Sequence, residues 1–526
     1  MDLVTAAEMQ AMDRLTIAEF GLPGRILMEN AGRGAVDVLF RRFDNLAGQR
    51  IGVAAGRGNN GGDGFVMARY LFQSGLNVTV FLLAERAKVA GDAGANLALL
   101  DLLSVPVVCI PDAQALDACR QEISRIGLWI DAIFGTGLNS DIRGHYAEMI
   151  GFINAAARPV LAVDIASGLN TDNGQICGAA VKADATATFA FAKIGHWVYP
   201  GAALTGKLDV IDIGIPPYIA ERVAPAQSLI TPALARQGLR LRPADAHKGI
   251  AGHVLVVAGS PGKAGAAAMT AMAAMRAGAG LVTLAAPVGI HAVLETLVLE
   301  AMTAALAETS DGVLAGQAYP ALIQLLVGKR CLAIGPGLGT APETGELVRQ
   351  LAAECPIPLV MDADALNLLA GDLSPLARRR APCVLTPHPG EMARLLNLPT
   401  ADIQKDRLSA ARRLAQSSGA CVVLKGAATV VADPDGRVMI NPTGNSGMAA
   451  GGMGDVLTGV IAGLIAQGAG PFEAAICGVF LHGSAADDLA KNVGPRGYLA
   501  SDVMAALPKM IADVLSDLPG PANRSA

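Results

Sequence analysis

The sequence predicts an α/β protein of two domains, each an open, mainly parallel sheet joined by crossover helices. Three observations lead there. Short β-branched runs alternate with helical stretches almost throughout, the pattern of strands connected through helices rather than hairpins. At 526 residues the chain exceeds what one hydrophobic core normally serves. The alternation fades near Pro216-Pro217 and resumes at His253, with Pro225, Pro232 and Pro243 between them. A domain boundary belongs in that aperiodic stretch, residues 223–243.

In the first half, strands are expected over 50–55, 77–83, 106–110, 128–134, 159–165, 185–191 and 207–213. Helices fall between most of them, over 65–74, 95–103, 113–124 and 145–157, and residues 1–40 read as two helices around a Gly21-Leu-Pro-Gly24 turn. The second half restarts with strand 253–258, the Ala-rich helix 264–277 and strand 281–285. Further strands are expected at 331–334, 358–361, 383–386 and 420–425. A hairpin of 429–432 and 437–440 turns at Asp435-Gly436.

Composition excludes several classes. Hydrophobic residues make up 52% against 17% charged, so the chain buries a core rather than staying disordered. The net charge of -5 gives no electrostatic case for nucleic acid. Cysteines 109, 119, 177, 331, 355, 383, 421 and 477 are scattered with no CxxC pair, as reduced core residues of a cytoplasmic protein would be. The N-terminus lacks a basic region followed by an apolar one, so no signal peptide is expected. The most apolar helix, 456–468, is too short for a membrane span. An Ala-rich, weakly charged surface favours a homo-oligomer.

The segment Gly444-Asn-Ser-Gly-Met-Ala-Ala-Gly-Gly-Met-Gly-Asp455 runs straight into an apolar helix beginning at Val456. Backbone N–H groups at a helix start, free of side-chain bulk, form an anion site. A carboxylate there would be repelled by phosphate unless it took a proton from an attacking hydroxyl, so the segment points to phosphoryl transfer to an alcohol. In the first half, Gly56-Arg-Gly-Asn-Asn-Gly-Gly-Asp-Gly64 follows a strand and opens a helix, where open α/β sheets bind ligands. It is not the dinucleotide fingerprint, because two asparagines and an aspartate interrupt the glycines. Asp131 with Gly135-Thr-Gly-Leu138, and Asp164-Ile-Ala-Ser167, lie at or beyond other strand ends and converge on the same crevice.

GxGNNGGDG, the GTGL loop and VDIxSG together resemble the NAD(P)HX epimerase, or YjeF N-terminal, domain of the bifunctional NAD(P)H-hydrate repair enzymes, over residues 1–218. The resemblance implies a Rossmann-like three-layer α/β/α domain. It implies contacts to the hydrated dinucleotide, NADHX or NADPHX, from Asn59, Asn60, Gly61, Gly62 and Asp63. It implies further contacts from Gly135, Thr136, Gly137, Leu138, Asn139, Ser140, Asp141 and Asp164. A potassium ion (K+) would be held by Asn60, Asp131 and Ser167, an all-oxygen set suited to a hard cation. Epimerisation inverts the hydroxyl-bearing C6 of the reduced ring, which needs a proton donor and acceptor; Asp164 is the expected catalytic residue. Its partner is unassigned. Lys193 is a candidate, set against a reading as a surface lysine at a strand end.

In the second half, HKGxxGHVLVVAGS, GPGLG, DADALN, TPHPGE, KGAAT and GGMGD occur in this order. Together they resemble the ADP-dependent NAD(P)HX dehydratase of the ribokinase-like superfamily, over residues 226–520. The likeness implies adenine-nucleotide contacts from Lys425, Gly426, Ala427, Ala428, Thr429 and Gly454, and places Ala266, Gly337, His388 and Asp455 at the hydrated dinucleotide. The implied chemistry is phosphorylation by ADP or ATP, accompanied by magnesium (Mg2+), followed by loss of phosphate. Asp455 is the expected base and the 451–454 amides the stabilisers of phosphoryl charge. The rival reading is a vitamin-precursor kinase of the same superfamily fused to a non-catalytic YjeF-type binding module.

Overall fold

Parallel strands covered on both faces need apolar residues at successive positions, and this chain supplies them twice. The computed structural model describes residues 1–516; the expected domain's last residues, 517–520, lie outside the described residues. The chain divides into two compact units, Asp2–Pro225 and the part from Ala226 onward.

The strands of the first unit are β1 (Asp2–Val4), β2 (Arg50–Ala55), β3 (Asn77–Leu82), β4 (Val107–Cys109), β5 (Leu128–Ala132), β6 (Val160–Val163), β7 (Ala185–Phe189), β8 (Ala192–Lys193) and β9 (Lys207–Ile211). Its main sheet runs β4-β3-β2-β5-β6-β7-β9, every pair parallel. Alternate side chains enter two separate cores. Ile51, Val53 and Ile130 pack with helices Gly24–Arg42, Asn59–Gln73 and Gly91–Leu102. Ala54, Trp129 and Ala162 pack with His145–Ala155 on the other face. That period of two makes the unit three-layered. Strand order reverses between β2 and β5, so the loops leaving those two strands flank the crevice where such sheets bind ligands.

Here the helix expected at 65–74 begins at Asn59, so the Asn-Gly stretch is the helix's first turn rather than a loop. Glycines are poor helix formers, and periodicity could not find that turn. Packing requires them, because a Cβ on Gly61 would lie 2.0 Å from the Gly56 carbonyl oxygen. The 159–165 strand stops at Val163, since Asp164 turns to φ +66°. The short parallel pair β1–β8 was not expected.

The second unit contains β10 (Gln227–Leu229), β11 (His253–Val257), β12 (Leu281–Pro287), β13 (Met302–Leu306), β14 (Cys331–Ile334), β15 (Leu359–Met361), β16 (Cys383–Leu385), β17 (Cys421–Leu424), β18 (Val430–Ala432) and β19 (Val438–Ile440). They follow the order β13-β12-β11-β14-β15-β16-β17-β18-β19-β10. Strands from β13 through β17 are parallel, and β17-β18-β19 is antiparallel. Order reverses between β11 and β14. Helices Ala264–Arg276 and Met453–Ala466 cross where Gly459 leaves no side-chain room; a Cβ there would meet the Thr270 carbonyl oxygen at 2.1 Å. Two strands of this unit escaped the sequence reading. β13 is an alanine-bearing edge strand with weak β propensity, and β10 sits within the proline-interrupted stretch. Among the described residues no helix is long and apolar enough to cross a membrane.

Candidate functional sites

At the C-terminal edge of the first sheet, a cleft of about 710 Å³ opens between the loops leaving β2 and β5. Asn59, Asn60, Asp63, Gly135, Thr136, Gly137, Leu138, Asn139, Ser140 and Asp164 all line it. Gly61 and Gly62 lie behind that wall, against the Gly56 carbonyl and the Met28 sulfur. Asp141 is exposed and faces Arg143 at 3.9 Å.

Asp131, the fourth residue of β5, is fully enclosed. Its Oδ1 accepts from Ser167 Oγ at 2.6 Å and its Oδ2 from Ser167 N–H at 2.7 Å. Burial pushes its carboxyl up to about 6 despite those bonds. Both polar atoms of the buried Asn60 amide lack a hydrogen-bond partner among the described residues, and a Cβ on Gly135 would sit 3.3 Å from Asn60 Oδ1. A buried amide left unpaired is costly unless something not of the protein satisfies it.

Asp164 leaves β6 in the left-handed region, a conformation that costs about 1–3 kcal/mol and clusters at functional sites. Three donors converge on its Oδ1: Lys193 Nζ at 2.5 Å, Thr188 Oγ1 at 3.2 Å and Phe189 N–H at 3.3 Å. Lys193 is therefore no surface lysine. Its side chain is 0% exposed and also donates to Thr188 Oγ1 and the Phe189 carbonyl. The strand-end position alone could not reveal this, because pairing of β8 with the unforeseen β1 buries it. His196 accepts the Lys193 N–H on Nδ1, which leaves its Nε2 proton facing the Asp164 carbonyl oxygen at 3.1 Å. Burial and the Lys193 charge hold it neutral, down to about 3. Sequence reasoning also missed Asp13, which lines the cleft from helix Ala6–Leu15. No strand-end or glycine signal marked it.

In the second unit the loops leaving β11, β14, β15, β16 and β17 share one sheet edge. Gly337, at φ +68°, lies against helix Ala264–Arg276; a Cβ there would be 3.4 Å from the Ala266 Cβ. Asp362, next after β15, accepts from Lys425 Nζ at 2.5 Å and from Thr458 Oγ1 at 2.8 Å. Gly454 abuts the same lysine, with its ideal Cβ position 3.2 Å from Nζ. Asp455, in the first turn of Met453–Ala466, thus stands in the field of Asp362 and Lys425. Burial and then Asp362 lift its carboxyl to about 6, against the pull of Lys425. Burial disfavours the Lys425 charge, yet Asp362 and Glu391 outweigh that and raise it. His388 caps helix Pro389–Leu396, its Nδ1 accepting from the Gly390 and Glu391 N–H groups at 3.0 and 3.3 Å, while its ring stays half-exposed. The Lys425–Thr429 turn takes positive φ at Gly426 and Ala428, and buried Arg407 braces it through the Leu424 and Lys425 carbonyls. The DADALN stretch stood out in the sequence, but nothing there showed that Asp362 would hold the lysine.

Comparison with known proteins decides the family. The chain is 46% identical over 515 residues to the bifunctional NAD(P)H-hydrate repair enzyme of Moorella thermoacetica, covering 98% of this chain and 97% of that one. It is 38% identical over 524 residues to that of Salinibacter ruber, covering 97% and 96%. The chain belongs to the bifunctional NAD(P)H-hydrate repair enzyme family. The Escherichia coli member is 36% identical, with 98% of this chain and 94% of that one covered. The family described as YjeF-related protein N-terminus matches residues 24–195, and that described as NAD(P)H-hydrate dehydratase matches 254–509. A solved ADP/ATP-dependent NAD(P)H-hydrate dehydratase from Bacillus subtilis, co-crystallized with ATP/Mg2+, is 32% identical over 54% of this chain and 98% of its own, at a TM-score of 0.49. The motif resemblance is borne out, and the rival kinase-plus-scaffold reading loses its support.

Proposed function

We infer that this chain restores hydrated nicotinamide cofactors in two steps, one in each unit. The first interconverts the two C6 epimers of NADHX or NADPHX; the second dehydrates one of them to NADH or NADPH, using ADP or ATP. Full-length likeness to bifunctional repair enzymes carries this reading.

In the first unit, Asp164 exchanges protons at the reacting ring. Lys193 orients its carboxyl group through their direct contact, the neutral His196 fixes its backbone from behind, and the walls 59–63 and 135–141 hold the dinucleotide. The Asn60 amide oxygen, unpaired among the described residues and packed on Gly135, and the Asp131–Ser167 pair that holds the adjoining Phe134 suit a potassium ion, whose charge when bound would offset the buried Asp131 carboxylate. In the second unit, Lys425 and the amides of 426–429 and 454 take the nucleotide phosphates. Ala266, Gly337 and His388 contact the hydrated dinucleotide. Asp455 removes the proton of the C6 hydroxyl as the phosphoryl group transfers. The ring-nitrogen lone pair then expels phosphate, a far better leaving group than hydroxide, and loss of a C5 proton restores the dihydronicotinamide. Magnesium, which supplies charge neutralisation, would arrive with the nucleotide, whose phosphates give it most of its ligands.

We also take the chain to act in the cytoplasm as a homo-oligomer. Val288, Val293 and Leu297 stand exposed on the helix preceding edge strand β13, which supports self-association. Mixing both epimers with protein, ADP or ATP, magnesium and potassium should return all the substrate to reduced nicotinamide. Without nucleotide, the epimers should interconvert and no reduced nicotinamide should form. Consumption of a single epimer would refute activity in the first unit.

A further inference from the structure

Inverting C6 requires the oxygen to leave from one face of the ring and return to the other, so one proton-transfer group is not enough. The inference here rests on the epimerase reading above and extends it. Helix Ala6–Leu15 and its continuation Thr16–Phe20 turn Met9, Asp13 and Ile17 into the cleft at helical spacing. Asp13 makes no side-chain hydrogen bond among the described residues. It faces Asp164 and Lys193, with Asp63 from the first turn of Asn59–Gln73 in the same field. Asp92 and Arg57 line the cleft as well.

The charges do not balance. Asp13, Asp63 and Asp164 share the buried ammonium of Lys193, and its 2.5 Å bond gives it over to Asp164. His196 is neutral and adds no cation. With that ammonium held by Asp164, burial and neighbouring carboxylates favour the protonated forms of Asp13 and Asp63. Asp63 is 8% exposed, and burial lifts it well above the usual carboxylate range, so it is the more enclosed of the two acids. Asp13 is more open to the cleft. Burial and then the Asp164 charge raise it to about 6, with Lys193 opposing, so it can give a proton and retake it near neutral pH.

We propose that Asp13 is the second proton-transfer residue of the epimerase, donating to the departing C6 oxygen while Asp164 receives a proton from the water that adds. The C6–O bond breaks, the Asp13 proton leaves with that oxygen as water, and the ring-nitrogen lone pair closes a C=N bond at C6. Water then bonds to C6 from the opposite face. The C=N pair returns to nitrogen, and the surplus proton passes to Asp164. The enzyme is left with Asp13 ionised and Asp164 protonated, the form that converts the opposite epimer. Exchange with solvent resets it.

The test uses the full-length protein, without nucleotide, in oxygen-18-labelled water, with the two epimers separated chromatographically. Wild type should take up one solvent oxygen per inversion. Asp13→Asn should lower kcat about 10²–10⁴-fold, with KM changed by less than about threefold, and Asp13→Glu should recover part of the loss. Dehydration of the epimer accepted by the second unit reports that the chain is intact. A wild-type inversion rate in Asp13→Asn, or a loss carried wholly by KM, overturns the assignment. Retention of the original oxygen in wild type overturns the C6–O cleavage. If Asp13→Asn fails to bind substrate, Asp13→Glu decides: bound substrate without inversion overturns the role, and retained inversion supports it. Failure of wild type itself to invert would instead overturn the epimerase reading.

Discussion

Replacing Lys193 by methionine separates a buried ion pair from a surface charge. The substitution keeps an unbranched apolar stem of similar length but leaves the Asp164 carboxylate without its ammonium. Removing one partner of a buried pair typically costs about 3–5 kcal/mol. The Lys193 side chain is wholly enclosed, whereas Asp164 keeps 12% of its side-chain surface. Water reaching the carboxylate, and the remaining donors Thr188 and Phe189, favour the low end of that range, about 3 kcal/mol. For a unit of this size each kcal/mol moves the melting temperature by about 2–4 °C, so the first unit should melt about 6–12 °C lower. Scanning calorimetry measures this directly, and epimerisation should collapse in the same protein. Removing both charges, Lys193→Met with Asp164→Asn, should recover much of the stability but none of the activity, because no uncompensated charge remains. A single variant melting within about 1 °C of wild type would refute the buried pair.

Asp455→Asn should cut dehydration turnover by about 10²–10⁴-fold while leaving nucleotide affinity nearly intact; single-turnover recovery of reduced-nicotinamide absorbance, alongside nucleotide titration, checks both. Because the Asp455 carboxyl is raised to about 6, it is protonated and unable to act as base below that pH. Dehydration kcat should fall toward tenfold per unit as pH drops through that range, and a profile flat down to about pH 5 would exclude it. Potassium should stabilise the first unit by about 2.7 kcal/mol at 100 times its dissociation constant. Calorimetry in potassium against tetramethylammonium measures the difference, and Asn60→Ala should shrink it. Gly459→Ala would set a methyl group 2.1 Å from the Thr270 carbonyl. Overpacking of that kind costs about 1–3 kcal/mol, readable as a lower melting temperature of the second unit.

Much of the fold was legible because burial on both faces of a parallel sheet writes itself as apolar runs. Strands β2, β11 and β14 stand out for that reason. The elements that escaped carry weak local signals. β13 is an alanine-bearing edge strand, β10 is set among prolines, and β1 and β8 are too short to show a period. The glycine-rich stretches marked both crevices, but the first turn of Asn59–Gln73 was hidden by the very glycines that let it approach β2.

Residue chemistry and motif order alone determined the two α/β sheets, the strand ends that bear ligands and the family, because loops at switch points must carry glycines, amides and carboxylates in sequence-local groups. Only the tertiary structure decided which charges meet. Lys193 is separated from Asp164 by 29 residues and Lys425 from Asp362 by 63, and Asp13 reaches its cleft from a helix with no motif. Coulomb energy depends on distance and burial in space, and neither is encoded in the spacing of residues along the chain.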